Sequence, residues 1–340
     1  MTKRPKSLTE AFPDIMKKVE AKEKLLEQRR KELREKDITA ETRIVAWIDI
    51  LGFSHELLLA KTKTQHRAVY QKMLFVHEAF DSPTASDDPE ECQEINEDYG
   101  RSVQALSDGL VVTASANAKA RSVMTPYDFF MSFIDDIIMA QTNCAVKGIF
   151  VRGGISIGPF YHDNNILLSP ALVRAYKMEA ERATYPVIII EPDHVNALRQ
   201  LKGFKNYSKD FEPSQTYFRP FKSPAQRKGE RFLHLDYLNY LSDPGNHGFF
   251  RDEDRLNWAD REKFSPQERD HLYSLSHVKS AVRAMTRHKE HLVKNYEATN
   301  SERVRAKFRW LMKYQNRALK GYGPLYDAAC IDLQKFKVAS

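Results

Sequence analysis

An α+β sandwich is the fold class that this 340-residue sequence predicts, and three observations carry the prediction. Apolar, β-branched runs alternate with segments of helical periodicity in the order βαββαββαβα through residue 201. One junction contains the pair Asp108-Gly109, the strongest short-range hairpin signal. A hairpin inside an otherwise alternating order favours the ferredoxin-like arrangement over a doubly wound parallel sheet. With 42% apolar residues the chain has ample material for a core, which excludes disorder as its main state.

The elements follow in order. Residues 13–36 read as a charged amphipathic helix. Residues 43–53 form a continuous apolar run, Arg-Ile-Val-Ala-Trp-Ile-Asp-Ile-Leu-Gly-Phe, rich enough in β-branched and aromatic residues to be a buried strand ended by Gly52. One helix is expected over residues 54–79. Residues 81–98 hold eight carboxylates, two prolines and no basic residue, and read as a solvated insertion. Residues 102–106 and 110–114 are the arms of the hairpin. A helix over 126–143 precedes an apolar, glycine-rich strand over 146–160, with close backbone approach at Gly153 and Gly154. An edge segment at 166–168 leads to a helix over 170–182, with proline suitably placed at its start. The apolar strand 185–190 and a helix from Asp193 complete this part. Residues 202–230 are basic, aromatic and proline-punctuated, hence loop-like. Residues 231–241 are strand or helix, and the end of the chain is helical. The expected organisation is thus a charged helix (1–37), a core (38–201) and a basic, mainly helical extension (202–340).

The formal charge is +7, unevenly spread. Residues 1–37 carry twelve basic and eight acidic side chains and residues 276–320 twelve and three, so the remainder is net −6. The total suits an anionic partner, although most of these side chains read as solvated helix faces. No segment approaches the roughly 20 apolar residues of a membrane span and no leader-like stretch follows the N-terminus, so a cytoplasmic protein without membrane contact is expected. Cys92, Cys144 and Cys330 are odd in number and widely separated, which indicates reduced thiols rather than a disulfide framework or zinc site.

Two aspartates break the packing logic. Asp49 interrupts the apolar run Ile48-Asp49-Ile50, and Asp108 sits at the hairpin. A carboxylate in a buried strand is costly unless paired or bound to metal. A pair on neighbouring strands suits hard divalent cations together with phosphates. For either aspartate alone, a turn or capping role is the commoner one. Leu51-Gly52-Phe53-Ser54 lies between strand and helix, where backbone N–H groups form an anion cradle. Asp135-Asp136 reads as a polar helix edge, Tyr161-His162-Asp163 as a turn or else a ribose or dimer contact, and His271, His277, His288 and His291 as exposed positions.

These residues resemble a family. Asp49-Ile50-Leu51-Gly52-Phe53-Ser54 is similar to the D-I-x-G-F-[ST] signature of class III nucleotide cyclases. Leu106-Ser107-Asp108 resembles their second metal aspartate, and Arg152-Gly153-Gly154-Ile155-Ser156-Ile157-Gly158 resembles their R-x-G-I-x-x-G strand. The run from Arg152 through Tyr161-His162-Asp163 and Ser169-Pro170-Ala171 to Glu179, followed by Tyr185-Pro186, resembles the bacterial pyrimidine cyclases of anti-phage defence, the Pycsar type. The resemblance spans residues 43–198 and leaves the tails aside.

It implies a palm-like core in which Asp49, Asp108 and the Ile50 carbonyl hold two Mn²⁺ or Mg²⁺ ions, and backbone N–H groups of Leu51, Gly52 and Phe53 cradle a triphosphate. It implies a homodimer with shared sites. The purine enzymes select their base with a lysine four residues before the hairpin aspartate and a polar residue ahead of the next helix. Here Gln104 and an apolar residue near Ile166 stand there, which argues against ATP. Gln104 can face uracil or cytosine equally, and UTP is the expected substrate, with CTP the alternative. Val173 replaces a family asparagine, while Lys177 and Arg174 are the cations expected to stabilise charge at the α-phosphate. A non-catalytic nucleic-acid binder using the basic C-terminal helices is the competing class, disfavoured because it needs no aspartate pair. A templated polymerase is disfavoured because no template-holding domain is evident.

Overall fold

The computed structural model describes residues 17–18, 21–28, 31, 40–81, 96–116, 125–162, 166–207, 213–248 and 265–336. The chain divides into residues 1–40 and 41–340. In the first unit, residues 21–28 are helical and exposed. Most of the predicted acidic insertion, including Cys92, lies outside the described residues.

The second unit is built on a sheet of order β2-β3-β1-β4-β6-β8-β7. Its strands are β1 (Glu41–Ile50), β2 (Ser102–Leu106), β3 (Gly109–Ser115), β4 (Val151–His162), β6 (Ile188–Ile190), β7 (Phe218–Phe221) and β8 (Phe232–Leu235), with β5 (Leu167–Leu168) paired to the far end of β4. β1 lies antiparallel between β3 and β4. The first four strands thus have the antiparallel order of the ferredoxin-like fold, and β6 adds in parallel to β4.

Along β1 the period of two decides the two faces. Ile44, Ala46, Ile48 and Ile50 join the main core, while Val45 and Trp47 turn to the opposite side with Val111, Phe160 and Ala171. The main core lies under α3 (Pro126–Val146), an apolar helix with a complete capping box from Thr125 and Asp128. Helix α4 (Pro170–Glu181), capped by Ser169, covers β4 directly over Gly154, where a Cβ would run into the Ala175 carbonyl, while Gly153 makes its close approach on the other face, to Ile48 and Ile188.

Several elements differ from expectation for identifiable reasons. The single helix over 54–79 is two, α1 (Phe53–Leu59) and α2 (Lys63–Asp81). Thr62 Oγ1 accepts from the Gln65 N–H and Gln65 Oε1 from the Thr62 N–H, at 3.2 and 3.1 Å, so a capping box restarts the helix. Residues 231–241 contain both strand β8 and a helix, and the loop-like segment 202–230 contains strand β7. β8 pairs with β6 and β7 with β8, so the sheet continues past residue 201. After α5 (Pro192–Leu198), α6 (Pro213–Tyr217) and α7 (Tyr237–Ser242), helices α8 (Pro266–Ala298) and α9 (Glu302–Ala318) pack into the same core.

The helix-edge and surface readings fail at two places. Asp136 is buried and ion-paired with Arg101. His288 is fully buried on α8, its Nδ1 2.6 Å from Gln315 Oε1 and its Nε2 3.1 Å from the Tyr237 hydroxyl. The apolar period of α8 runs through it. Cys144 is buried and Cys330 exposed, both free thiols. Among the described residues no helix is long and apolar enough to cross a membrane.

Candidate active site

The end of β1 and the β2–β3 turn meet at one edge of the sheet. Asp49 pairs in register with Gly109 on β3 and with Arg152 on β4. Since Ile48 and Ile50 are committed to the core, alternation sends Asp49 to the opposite face, where its side chain keeps partial exposure. The turn holding Asp108 has Ser107 at its first central position, with φ 58°. Gly109 therefore begins β3 instead of sitting in the turn, and its role is steric: a Cβ there would stand 2.6 Å from the Trp47 ring.

Asp49 and Asp108 come together as expected. Burial raises the Asp49 pKa, Arg152 pulls it back through a hydrogen bond and its charge, Asp108 adds a further rise, and Lys307 opposes it. The Ile50 N–H donates to the Asp108 carbonyl at 3.4 Å. The N–H and C=O of one strand residue face the same neighbour, so the Ile50 carbonyl also faces the hairpin. Ser54 Oγ donates to Asp108 Oδ2. Two carboxylates and a carbonyl form an all-oxygen donor set of the kind that Mg²⁺ or Mn²⁺ takes. Among the described residues there is no group of three or more His, Cys, Asp or Glu side chains suited to a metal, so such an ion would rely on this smaller set.

The cradle needs one correction. The Leu51 N–H donates to the Phe150 carbonyl at 2.9 Å, because the β1–β4 ladder extends one residue beyond the strand. The N–H groups of Gly52 and Phe53 make no backbone hydrogen bond among the described residues. Gly52 has φ 82° at the start of α1, and Phe53 is buried as its anchor.

The two expected helix cations are not at this edge within one chain. Arg174 Nε donates to Ser156 Oγ (3.0 Å) and Nη2 to the Ile157 carbonyl (2.8 Å). Ser156 pairs with Val45, four residues before Asp49, about 13 Å along the strand. Lys177 is exposed, and two residues of helix turn it roughly 200° from Glu179, which does face Arg152. Gln104 lies on β2 with its amide nitrogen 3.0 Å from His162 Nε2. It pairs with Val111, and so shares the Asp49 face of the sheet.

Sequence reasoning missed a cluster around Asp49. Arg152 Nε is 2.8 Å from Asp49 Oδ2 and 2.7 Å from Glu179 Oε1. Burial pushes Glu179 up to about 7, with Arg152 lowering it and Asp49 raising it. Lys307 of α9 is buried nearby, lowered to about 8 by burial and by Arg152 and Arg303. Each carried a signal: Glu179 follows Ala171 and Ala175 on the buried face of α4, and Lys307 lies between Val304, Phe308 and Leu311. A charge on an apolar helix face poses the same question as Asp49 in its strand.

No family model and no curated protein matches this sequence. Among solved structures the chain is similar to the adenylyl cyclase CyaB from P. aeruginosa, at 11% identity and TM-score 0.37 over 59% of this chain and 96% of that one. A bacterial light-regulated adenylyl cyclase matches at 12% and 0.36, over 58% and 92%. The monomeric guanylyl cyclase domain of the RhoGC fusion protein from the aquatic fungus Blastocladiella emersonii matches at 14% and 0.35, over 59% and 98%.

Proposed function

We propose that the protein is a metal-dependent class III nucleotide cyclase of the pyrimidine type, converting UTP to 3′,5′-cyclic UMP and pyrophosphate in the cytoplasm as a second messenger of anti-phage defence. The observation that carries the reading is the meeting of Asp49 and Asp108 at one sheet edge, with the Ile50 carbonyl turned toward them. The motif order Asp49 to Ser54, Asp108, Arg152 to Gly158 supports the family.

In the reaction the ribose 3′-oxygen loses its proton and bonds to the α-phosphorus. The bond from that phosphorus to the α,β-bridging oxygen breaks, and pyrophosphate leaves. Asp49, Asp108 and the Ile50 carbonyl would hold two Mn²⁺ or Mg²⁺ ions, which when bound acidify the hydroxyl and neutralise the leaving group. Gly52 and Phe53 donate backbone N–H groups to phosphate oxygens at a helix start. Arg152 fixes the Asp49 carboxylate. Gln104 presents both a donor and an acceptor to a pyrimidine edge, which is compatible with UTP and with CTP as the alternative.

Arg174 and Lys177 reach the α-phosphate of the site on a second copy. Their exposure on α4 supports this, as do the exposed apolar residues Ile166, Leu168, Val173 and Tyr176 beside them, which suit a homodimer face. Incubation with each of the four nucleoside triphosphates and Mn²⁺, resolved chromatographically against cyclic UMP and cyclic CMP standards, tests the assignment. Cyclic UMP as main product is expected. Cyclic CMP would move the substrate to CTP, and purine products would overturn the pyrimidine reading.

A further inference from the structure

Lys307 poses a problem that the core does not solve. It sits in the packed face of α9, 8% exposed, and among the described residues no acceptor lies within hydrogen-bond or ion-pair distance of its ammonium. Its stem is buried while its ammonium is not among the buried unpaired atoms, so the charged tip keeps contact with solvent and is open to a dissolved anion. Arg303, one turn earlier on the same helix face, repels it, and such like-charged pairs weaken a helix. Arg152 repels it as well.

The helix is nonetheless firmly placed. The Phe308 ring is 5.6 Å from that of Phe150, and the Phe150 carbonyl holds the Leu51 N–H, so α9 touches the residue that anchors the chain just before Gly52. Two cations, Arg152 and Lys307, therefore lie near Asp49 and Glu179, with the exposed Arg303 one helical turn from Lys307. The two carboxylates in reach of Lys307, Asp49 and Glu179, already share the Arg152 guanidinium. What the cluster lacks is an anion with several oxygens.

We propose that Lys307 binds the phosphate chain of the substrate, its ammonium donating to a terminal phosphate oxygen, so that the C-terminal extension is part of the nucleotide site. The inference rests on the cyclase reading for the identity of the nucleotide. The condensed-phosphate chemistry of the ligand follows from the cluster itself.

Calorimetric titration of the full-length protein with inorganic tripolyphosphate in the presence of Mg²⁺ tests this without any base or turnover. Lys307→Met is expected to weaken binding about 10- to 100-fold, the range of a lost charge-assisted hydrogen bond. Lys307→Arg should restore most of it, and uridine binding should not change in either variant. Equal tripolyphosphate affinity in a folded Lys307→Met protein overturns the proposal, as does a wild-type protein that binds no tripolyphosphate. If Lys307→Met does not fold, Lys307→Gln is read in the same way. Loss of tripolyphosphate binding in a protein that makes no cyclic nucleotide keeps the anion site and discards the cyclase. Cyclisation by Lys307→Met with unchanged KM does the reverse.

Discussion

Asp49 and Glu179 share one donor. The Arg152 Nε stands 2.8 Å from the first and 2.7 Å from the second, and its single N–H makes its hydrogen bond to Asp49. Glu179 is buried beside Asp49, and burial pushes its carboxyl up to about 7 against the lowering pull of Arg152, Lys307 and Trp47.

That shift has a sign. Glu179 is raised above its ordinary value of 4.5, so the native state binds its proton more tightly than the unfolded chain does. The stability it contributes is complete below pH 4.5 and is lost as pH rises through about 7. Glu179→Gln should therefore exceed the wild type by on the order of 2–3 kcal/mol at pH 8 and match it near pH 4.5, read from urea unfolding at both pH values. A constant difference between the two would contradict this.

His288 works in the opposite direction. Burial lowers it to about 4, while its Gln315 partner pulls it upward. Its stabilising contribution is complete above pH 6.5 and is lost as pH falls through about 4. His288→Gln should start from a lower Tm and lose less of it between pH 6.5 and 4, as thermal melts across that range would show.

Two glycines at the site should fail differently. A Cβ on Gly52 meets nothing within 4 Å, so Gly52→Ala costs only the left-handed backbone, about 1–2 kcal/mol. Gly109→Ala drives a methyl into the Trp47 ring and the Ile48 carbonyl, costing about 1–3 kcal/mol and displacing the Asp108 turn. The second variant should lose far more activity than its change in stability explains, by comparison of kcat with denaturant midpoints.

Because Arg174 and Lys177 do not reach Asp49 within one chain, a mixture decides how the site is composed. Asp49→Ala and Lys177→Ala proteins should each be inactive, and refolding them together should restore part of the activity through dimers with one intact site. Absence of any restoration would place the whole site in one subunit.

Much of the fold could be read from local signals. The Ile48-Asp49-Ile50 alternation, the proline at the start of α4 and the Gly153-Gly154 pair each gave the right element. Asp108-Gly109 gave the right hairpin for a shifted reason, since the glycine is required by Trp47 and not by the turn. The Thr62-x-x-Gln65 capping box was present in the sequence and overlooked. β7 is four residues long, too short for periodicity to speak, and pairing alone reveals it, while β8, equally short, stays open between strand and helix until its pairing is seen. At the site, Asp49 and Asp108 were legible because a charge in an apolar strand or a tight turn stands out. Glu179 and Lys307 were not, because a single charge on a long amphipathic helix reads as solvated until tertiary packing buries it. Arg174 and Lys177 rest on the alignment with the resembled family, whereas the direction of a side chain depends on which helix face β4 takes.

The central claim is that Asp49 and Asp108 make this sheet edge a site of cyclisation. Mass spectrometry of UTP reactions with Mn²⁺, run side by side with wild type and Asp49→Ala, tests it most directly. The wild type should form cyclic UMP and pyrophosphate in equal amounts, and the variant should form neither above background. No cyclic product from UTP or from CTP, or equal product from the variant, would contradict the account.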